Sequence, residues 1–202
     1  MKKQIIQILY NLIGKGIRPD GKADGSKSDP EMSHVAEAAE TGGAQHDASA
    51  VQVVDQKTLE RIVNENLSAE QSKGCLLACN ADRFRQINDI YGRDTGDLVL
   101  RYMADILCDV FRECDCIAGL GGDRFAVWLS AVSRDNVDKV RRQVGVVNDR
   151  LLHPTGGLPP VSMSVGAAFC KTNDDYKNLG KRANKALNLV KGSGRCGCEM
   201  SL

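Results

Sequence analysis

Apolar residues fall at Ile5, Ile6, Leu9, Leu12 and Ile13 in the opening MKKQIIQILYNLIGKGI, a spacing that gathers them on one side of a helix. Gln4, Gln7 and Asn11 interrupt the run, which falls short of the roughly 20 apolar residues that a membrane span needs. It also lacks the small-residue cleavage site of a secretory leader. Residues 1–17 therefore read as a short amphipathic helix that docks a partner protein or a second copy, with attachment to a membrane surface as the alternative. Large apolar residues are then nearly absent over residues 18–53, which are rich in Gly, Ser, Asp, Ala and Glu. Such a segment cannot offset its ordering entropy by burial, so it is expected to be a flexible linker. A regular pattern occupies residues 54–202, the expected folded domain.

Within that domain the periodicity predicts a helix over 58–67, an apolar strand over 75–79, a helix over 83–91 and a long amphipathic helix over 95–112. Two short apolar runs follow, IAGL at 117–120 and FAVWLS at 125–130, separated by Gly121, Gly122 and Asp123. Consecutive glycines accept the positive φ angles of a tight turn, so the pair predicts a β-hairpin. A helix over 134–152, a strand over 161–169 and a last helix over 174–190 complete the pattern. This order predicts an α+β fold, a central, mostly antiparallel β-sheet flanked by helices.

Composition narrows the function classes. A net charge of +1 gives no general footprint for nucleic acid or an anionic membrane, so any anionic ligand must be held locally. Eight cysteines inside mostly apolar runs suit reduced thiols and a cytoplasmic location. The pairs Cys114 with Cys116 and Cys196 with Cys198 raise a metal reading, but they lack CxxC spacing and neighbouring histidines, so ordinary thiols are expected. His34, His46 and His153 are scattered and suggest no catalytic cluster.

The candidate chemistry lies in three stretches. NADRFRQINDIYGRDTGD, residues 80–97, begins where an apolar strand gives way to polar residues, and strand ends are where such folds place ligands. GGDRF, residues 121–125, forms the predicted hairpin turn, and ANKALNLVKGSGR, residues 183–195, closes the last helix. Singly, each has an ordinary reading as a hairpin, a solvated helix face or a helix end whose cations complement its dipole.

Together and in this order they resemble the GGDEF family of diguanylate cyclases and their degenerate relatives. The family's D-x-D-x-F-K-x-I-N-D-x-Y-G-H-x-x-G-D, its GGDEF or GGEEF turn and its A-D-x-A-L-Y-x-A-K-x-x-G-R are all matched in spacing, over roughly 140 residues. The resemblance implies a nucleotidyl-cyclase-like, ferredoxin-like palm. It implies that Asn88 and Asp97, beside Phe84, hold guanine. A carboxylate can accept the ring NH and exocyclic amine of guanine together, and adenine offers no such pair. Lys191 and Arg195 would neutralise phosphates, Gly121 and Gly122 would let the backbone approach the nucleotide, and Asp123 would supply a carboxylate to a metal. If the domain turns over GTP, the cofactor is Mg²⁺ or Mn²⁺, the ligands are GTP or cyclic di-GMP, and the working unit is a homodimer.

Several positions depart from the family. The first Asp of D-x-D is Asn80, a much weaker ligand for a hard cation, and the fourth turn position is Arg124, a fixed positive charge. Asp82 is a candidate substitute ligand, with capping of the next helix as the alternative role. Arg85, Asn184 and Asn188 replace the usual Lys, Asp and Tyr, and of the family's opening D-x-L-T-G-L-x-N-R only Asp55 and Thr58 remain. These changes predict impaired catalysis with guanine-nucleotide binding retained. An active cyclase and a scaffold that binds no nucleotide are the alternatives. Arg112 and Asp115 form an RxxD just before the turn, the resemblance's secondary site for cyclic di-GMP, with Arg141 or Arg142 as a further arginine. The same string also reads as an exposed helix end.

Overall fold

The computed structural model describes residues 52–68, 73–112 and 114–201. The expected N-terminal helix over 1–17, and the expected linker as far as residue 51, lie outside the described residues. Strand β2, Gly74–Ala81, lies inside the sheet, antiparallel both to β4, Arg124–Ser130, and to β5, Met163–Phe169. Its alternate side chains enter two different cores. Cys75, Leu77, Cys79 and Ala81 join one face, and Leu76 joins the other. Both neighbours of β2 are fully paired over its length, which suits a strand apolar on both sides.

Around β2 the sheet extends in the order β1-β3-β4-β2-β5-β6, where β1 is Gln52–Val54, β3 is Cys116–Gly119 and β6 is Gly197–Ser201. The outer pairs β1 with β3 and β5 with β6 are parallel, and the three inner pairs are antiparallel. The sheet is thus mostly antiparallel and helix-flanked, as the sequence pattern predicts. Two of its strands escaped that pattern. β1 has only three residues and places the start of the domain inside the expected linker, two residues before 54. β6, GCEMS, carries no run of apolar alternation and is partly exposed along its length. Both are edge strands held by backbone pairing to a neighbour, which leaves little signature in side-chain pattern.

Helices cover both faces. α2, Phe84–Tyr91, α3, Arg93–Val110, and α4, Val137–Leu152, pack on the larger core, which contains Ile87, Met103, Leu107, Val144, Phe125 and Phe169. α1, Gln56–Leu67, and α5, Tyr176–Gly192, pack on the smaller core, where Leu59, Val63, Trp128 and Leu179 meet Ala118, Ala126, Ala168 and Ala183. Asp55 caps α1 by accepting from the Thr58 N–H at 2.7 Å, which explains why Asp55 and Thr58 occur together. A 3₁₀ turn, Arg134–Asn136, precedes α4 and accounts for the earlier start expected from periodicity. α3 stops at Val110, two residues before the expected end, because Arg112 turns to donate its backbone N–H to the Asp115 carboxylate at 3.0 Å.

The helices α1 and α5 are tied where the Tyr176 N–H donates to Asn64 Oδ1 at 2.9 Å. Between them the alanine-rich floor of β2 and β4 is left open as a groove of about 760 Å³. No helix among the described residues is long and apolar enough to cross a membrane.

Candidate functional site

The end of β2 and the β3–β4 turn build one edge of the site. Gly121 and Gly122 adopt φ values of 87° and 60°, the left-handed conformations that the two glycines were expected to supply. The turn is closed by the Leu120 N–H donating to the Arg124 carbonyl at 2.9 Å. The Asp123 carbonyl accepts from the Ala81 N–H at 3.0 Å and from Asn80 Nδ2 at 3.4 Å. Asn80 is thus buried and turned to act as a donor within the turn. Its direct partner across β2 and β4 is Arg124. The Arg124 guanidinium is exposed and folds back, Nη2 donating to the Leu120 carbonyl at 3.1 Å.

A second cluster lies where α2 meets α3, at the Gly92 break. A Cβ at Gly96 would fall 1.9 Å from Asn88 Oδ1 and 3.2 Å from the Phe84 ring, so Asn88 and Phe84 lie directly against this glycine. Asp97, the next residue in the chain, is half-buried. Asn88 and Phe84 therefore meet over Gly96, and only a glycine there leaves the Asn88 amide where it is.

Lys191 lines the groove with Asn80 and Arg124. Arg195 does not join them. It pairs with Asp82, Nε to Oδ1 at 3.8 Å, and lines a separate pocket of about 360 Å³ with Arg83, Ile90 and Tyr91. Asp82 is buried and accepts from Ser162 Oγ at 2.7 Å, Ser164 Oγ at 2.6 Å and the Cys196 N–H at 3.1 Å. Its capping role is corrected: α2 starts from Arg83 at φ 54° with no side-chain cap, and Asp82 instead ties the start of β5 to the α5–β6 turn. With both oxygens engaged, Asp82 offers no free carboxylate towards Asn80.

In the RxxD stretch, Arg112 is exposed, whereas Asp115 is buried with its oxygens accepting from the Arg112 and Ser130 N–H groups at 3.0 and 3.2 Å. Burial pushes the Asp115 carboxyl above its usual range, against those two bonds and the Arg112 charge. The Asp115 carboxylate therefore clasps the α3–β3 turn to the end of β4. Arg142 is exposed on α4.

Mg²⁺ or Mn²⁺ finds no fitting donor set at the turn. Asn80 presents an amide donor, Arg124 a cation, and Asp123 alone of the three carries a carboxylate. Among the described residues no group of three or more His, Cys, Asp and Glu side chains is placed to hold a metal. Burial holds the thiols of Cys75 and Cys79 far above their usual range, and pushes Cys116 up to about 11 and Cys198 up to about 12. The residues that pattern reading missed are Lys177, Lys181 and Lys185, whose spacing of four along α5 was the available signal.

The family described as "Diguanylate cyclase, GGDEF domain" matches residues 50–196. Diguanylate cyclase DosC of Escherichia coli K12 is 31% identical over 127 residues, covering 62% of this chain and 28% of DosC. Diguanylate cyclase DgcM of the same organism is 32% identical over 120 residues, covering 59% of this chain and 29% of DgcM. The chain thus spans under a third of the length of these curated relatives. Among solved structures, the GGDEF domain of YfiN (TpbB) from Pseudomonas aeruginosa aligns with a TM-score of 0.66 and 26% identity, covering 74% of this chain and 96% of that one. Diguanylate cyclase SiaD from P. aeruginosa, solved with its activator SiaC, aligns with a TM-score of 0.65 and 26% identity, covering 73% of this chain and 58% of that one. Since the family model matches well over half of its residues, the chain belongs to the GGDEF family.

Proposed function

We propose that this domain acts in cyclic di-GMP signalling as a catalytically impaired member of its family, binding guanine nucleotide without condensing it. The observation that carries this reading is the pairing of Asn80 with Arg124 at the position where the family's metal ligands stand. Phosphoryl transfer by two metal ions needs carboxylates to hold them and neutralise the triphosphate. Here one is an amide already bonded to Asp123 and another is a guanidinium. The packing of Asn88 and Phe84 around Gly96, with half-buried Asp97 next in the chain, supports retained binding. A carboxylate there favours guanine over adenine.

Incubation with GTP and Mg²⁺ or Mn²⁺, followed by chromatography, tests the catalytic half. Accumulating dinucleotide would restore the active-cyclase reading, which the similarity to DosC and DgcM favours. Thermal shifts with GTP and ATP test the binding half, since a ligand that binds only the folded state raises its apparent stability. No shift with GTP would leave an interaction scaffold. Cyclic di-GMP at the RxxD stretch rests in this reading on the exposed Arg112, with Arg142 as a second arginine, because Asp115 is committed to backbone groups. Calorimetry with wild type and Arg112→Ala checks that arm. Localisation in the cytoplasm and homodimer formation belong to the same proposal.

A further inference from the structure

The groove between α1 and α5 is lined by Lys177, Lys181, Lys185, Lys191 and Arg124, and no carboxylate is among its lining residues. Lys177, Lys181 and Lys185 climb α5 at intervals of four residues, about 6 Å of rise each, and so keep to one side of the helix. None of the five cations is ion-paired with a described residue. The floor between them is apolar, formed by Leu76, Ala78 and Ala126. Cations around a concave, low-dielectric floor concentrate positive potential there, which matters in a chain whose formal net charge is only +1. A volume of about 760 Å³ lies within the range of small-molecule sites.

The departures from the family pattern converge on this same groove. Asn80, Arg124, Asn184 and Asn188 all line it, although they come from two strands and a helix. Against the patterns quoted above, Asn80 and Asn184 each replace a carboxylate by a neutral amide, and Arg124 replaces one by a cation. Asn188 replaces an aromatic ring by a smaller side chain. The first three changes each move the groove's charge in the positive direction, and the fourth opens space. A cavity that has lost its metal-holding carboxylates has thereby gained the charge that a metal would have supplied.

We infer that this groove binds an oligophosphate chain, free or carried by a nucleotide, with lysine and arginine charge in place of a metal ion. Arg124 can grip two phosphate oxygens at the mouth, and the lysines follow the chain along α5 as point charges. Asn184, whose Nδ2 also donates to the Gly180 carbonyl at 2.8 Å, and Asn188 present neutral amides where a carboxylate would repel a phosphate. The site does not require guanine recognition, so the two readings can fail separately.

Calorimetric titration of the full chain with tripolyphosphate, GTP and ATP, first in EDTA and then with excess Mg²⁺, tests the inference. All three are expected to bind in EDTA, more weakly as KCl is raised and more weakly again when Mg²⁺ neutralises the phosphates. The double variant Lys181→Gln, Lys185→Gln is expected to bind tripolyphosphate about tenfold more weakly, while Lys73→Gln, outside the groove, binds as wild type. Both groove lysines are exposed, and circular dichroism verifies that the variant is folded. Tripolyphosphate that fails to bind in EDTA, binds more tightly with Mg²⁺, or binds the double variant as it binds wild type overturns the inference. GTP and ATP bound equally, with tripolyphosphate also bound in EDTA, supports the groove and defeats the guanine reading alone.

Discussion

Asn80 on β2 and Arg124 on β4 face each other as direct cross-strand partners, so the two altered ligand positions of the turn are one altered place. Opposite residues in an antiparallel pair have Cβ atoms about 5 Å apart, close enough that the Asn80 amide and the Arg124 charge act on the same neighbourhood. Arg124 is exposed, so its repulsion of a unit positive charge about 4 Å away lies between about 1 kcal/mol in bulk water and about 4 kcal/mol near a protein surface. The missing carboxylates weigh alongside that repulsion. Arg124→Glu alone is expected to leave Mn²⁺ binding undetectable, and the double variant Asn80→Asp, Arg124→Glu to create Mn²⁺-dependent GTP binding. Calorimetry with GTP in the presence and absence of Mn²⁺ reads the difference, and a single variant that gains the same dependence would contradict it.

If Asp97 reads guanine as proposed, removing its carboxylate should change which base is chosen. Asp97→Asn is expected to lower GTP affinity by about ten- to hundredfold, the value of a charge-assisted pair of hydrogen bonds, and to leave ATP unchanged. Competition binding with both nucleotides measures the ratio. An equal loss for both would place Asp97 outside base recognition.

The position of Asn88 depends on the absence of a side chain at 96. A methyl group there would sit 1.9 Å from Asn88 Oδ1, and the Asn88 amide is the part free to give way. Gly96→Ala is expected to weaken GTP binding several-fold, about as much as Asn88→Ala. The melting temperature is expected to fall by no more than about 4 °C, since a single hydrogen-bonding side chain is displaced. A drop in stability with unchanged affinity would separate Asn88 from the nucleotide.

Asp82 predicts the opposite balance. Its carboxylate is buried and accepts from two serine hydroxyls and one backbone N–H, and all three donors lose their partner in Asp82→Ala. A loss of about 3 kcal/mol is expected, with Asp82→Asn costing less because one oxygen remains to accept. Urea denaturation followed by tryptophan fluorescence of the buried Trp128 measures it.

Thiol reactivity should report burial directly. At pH 8 a thiol with a pKa of about 11 is thiolate in only about one part in a thousand, and the Cys116 thiol is buried as well. Cys114 and Cys196 are exposed. Mass spectrometry after brief iodoacetamide treatment is expected to find label on Cys114 and Cys196, and label on Cys75, Cys79 and Cys116 only after denaturation. Early labelling of Cys79 would show that the β2 core opens readily.

The order of helices and inner strands was legible along the chain because each has a face that must be buried. The strand containing Leu76 and Leu77, the hairpin around Gly121 and Gly122 and the long helix through Met103 and Leu107 all follow from apolar period and turn residues. Asn80 and Arg124 stood out only through the resemblance to the GGDEF pattern, in which carboxylates occupy both positions. Local pattern could not reveal the edge strands β1 and β6, whose order comes from backbone bonds to β3 and β5. Nor could it tell that Asp82 and Asp115 spend their oxygens on groups far along the chain, at Ser164 and Ser130. Tertiary packing alone decided that Asn80, Arg124, Asn184 and Lys185 border one groove. Sequence spacing governs which residues share a helix side or a strand face, but the distance between two elements is set only when their cores close.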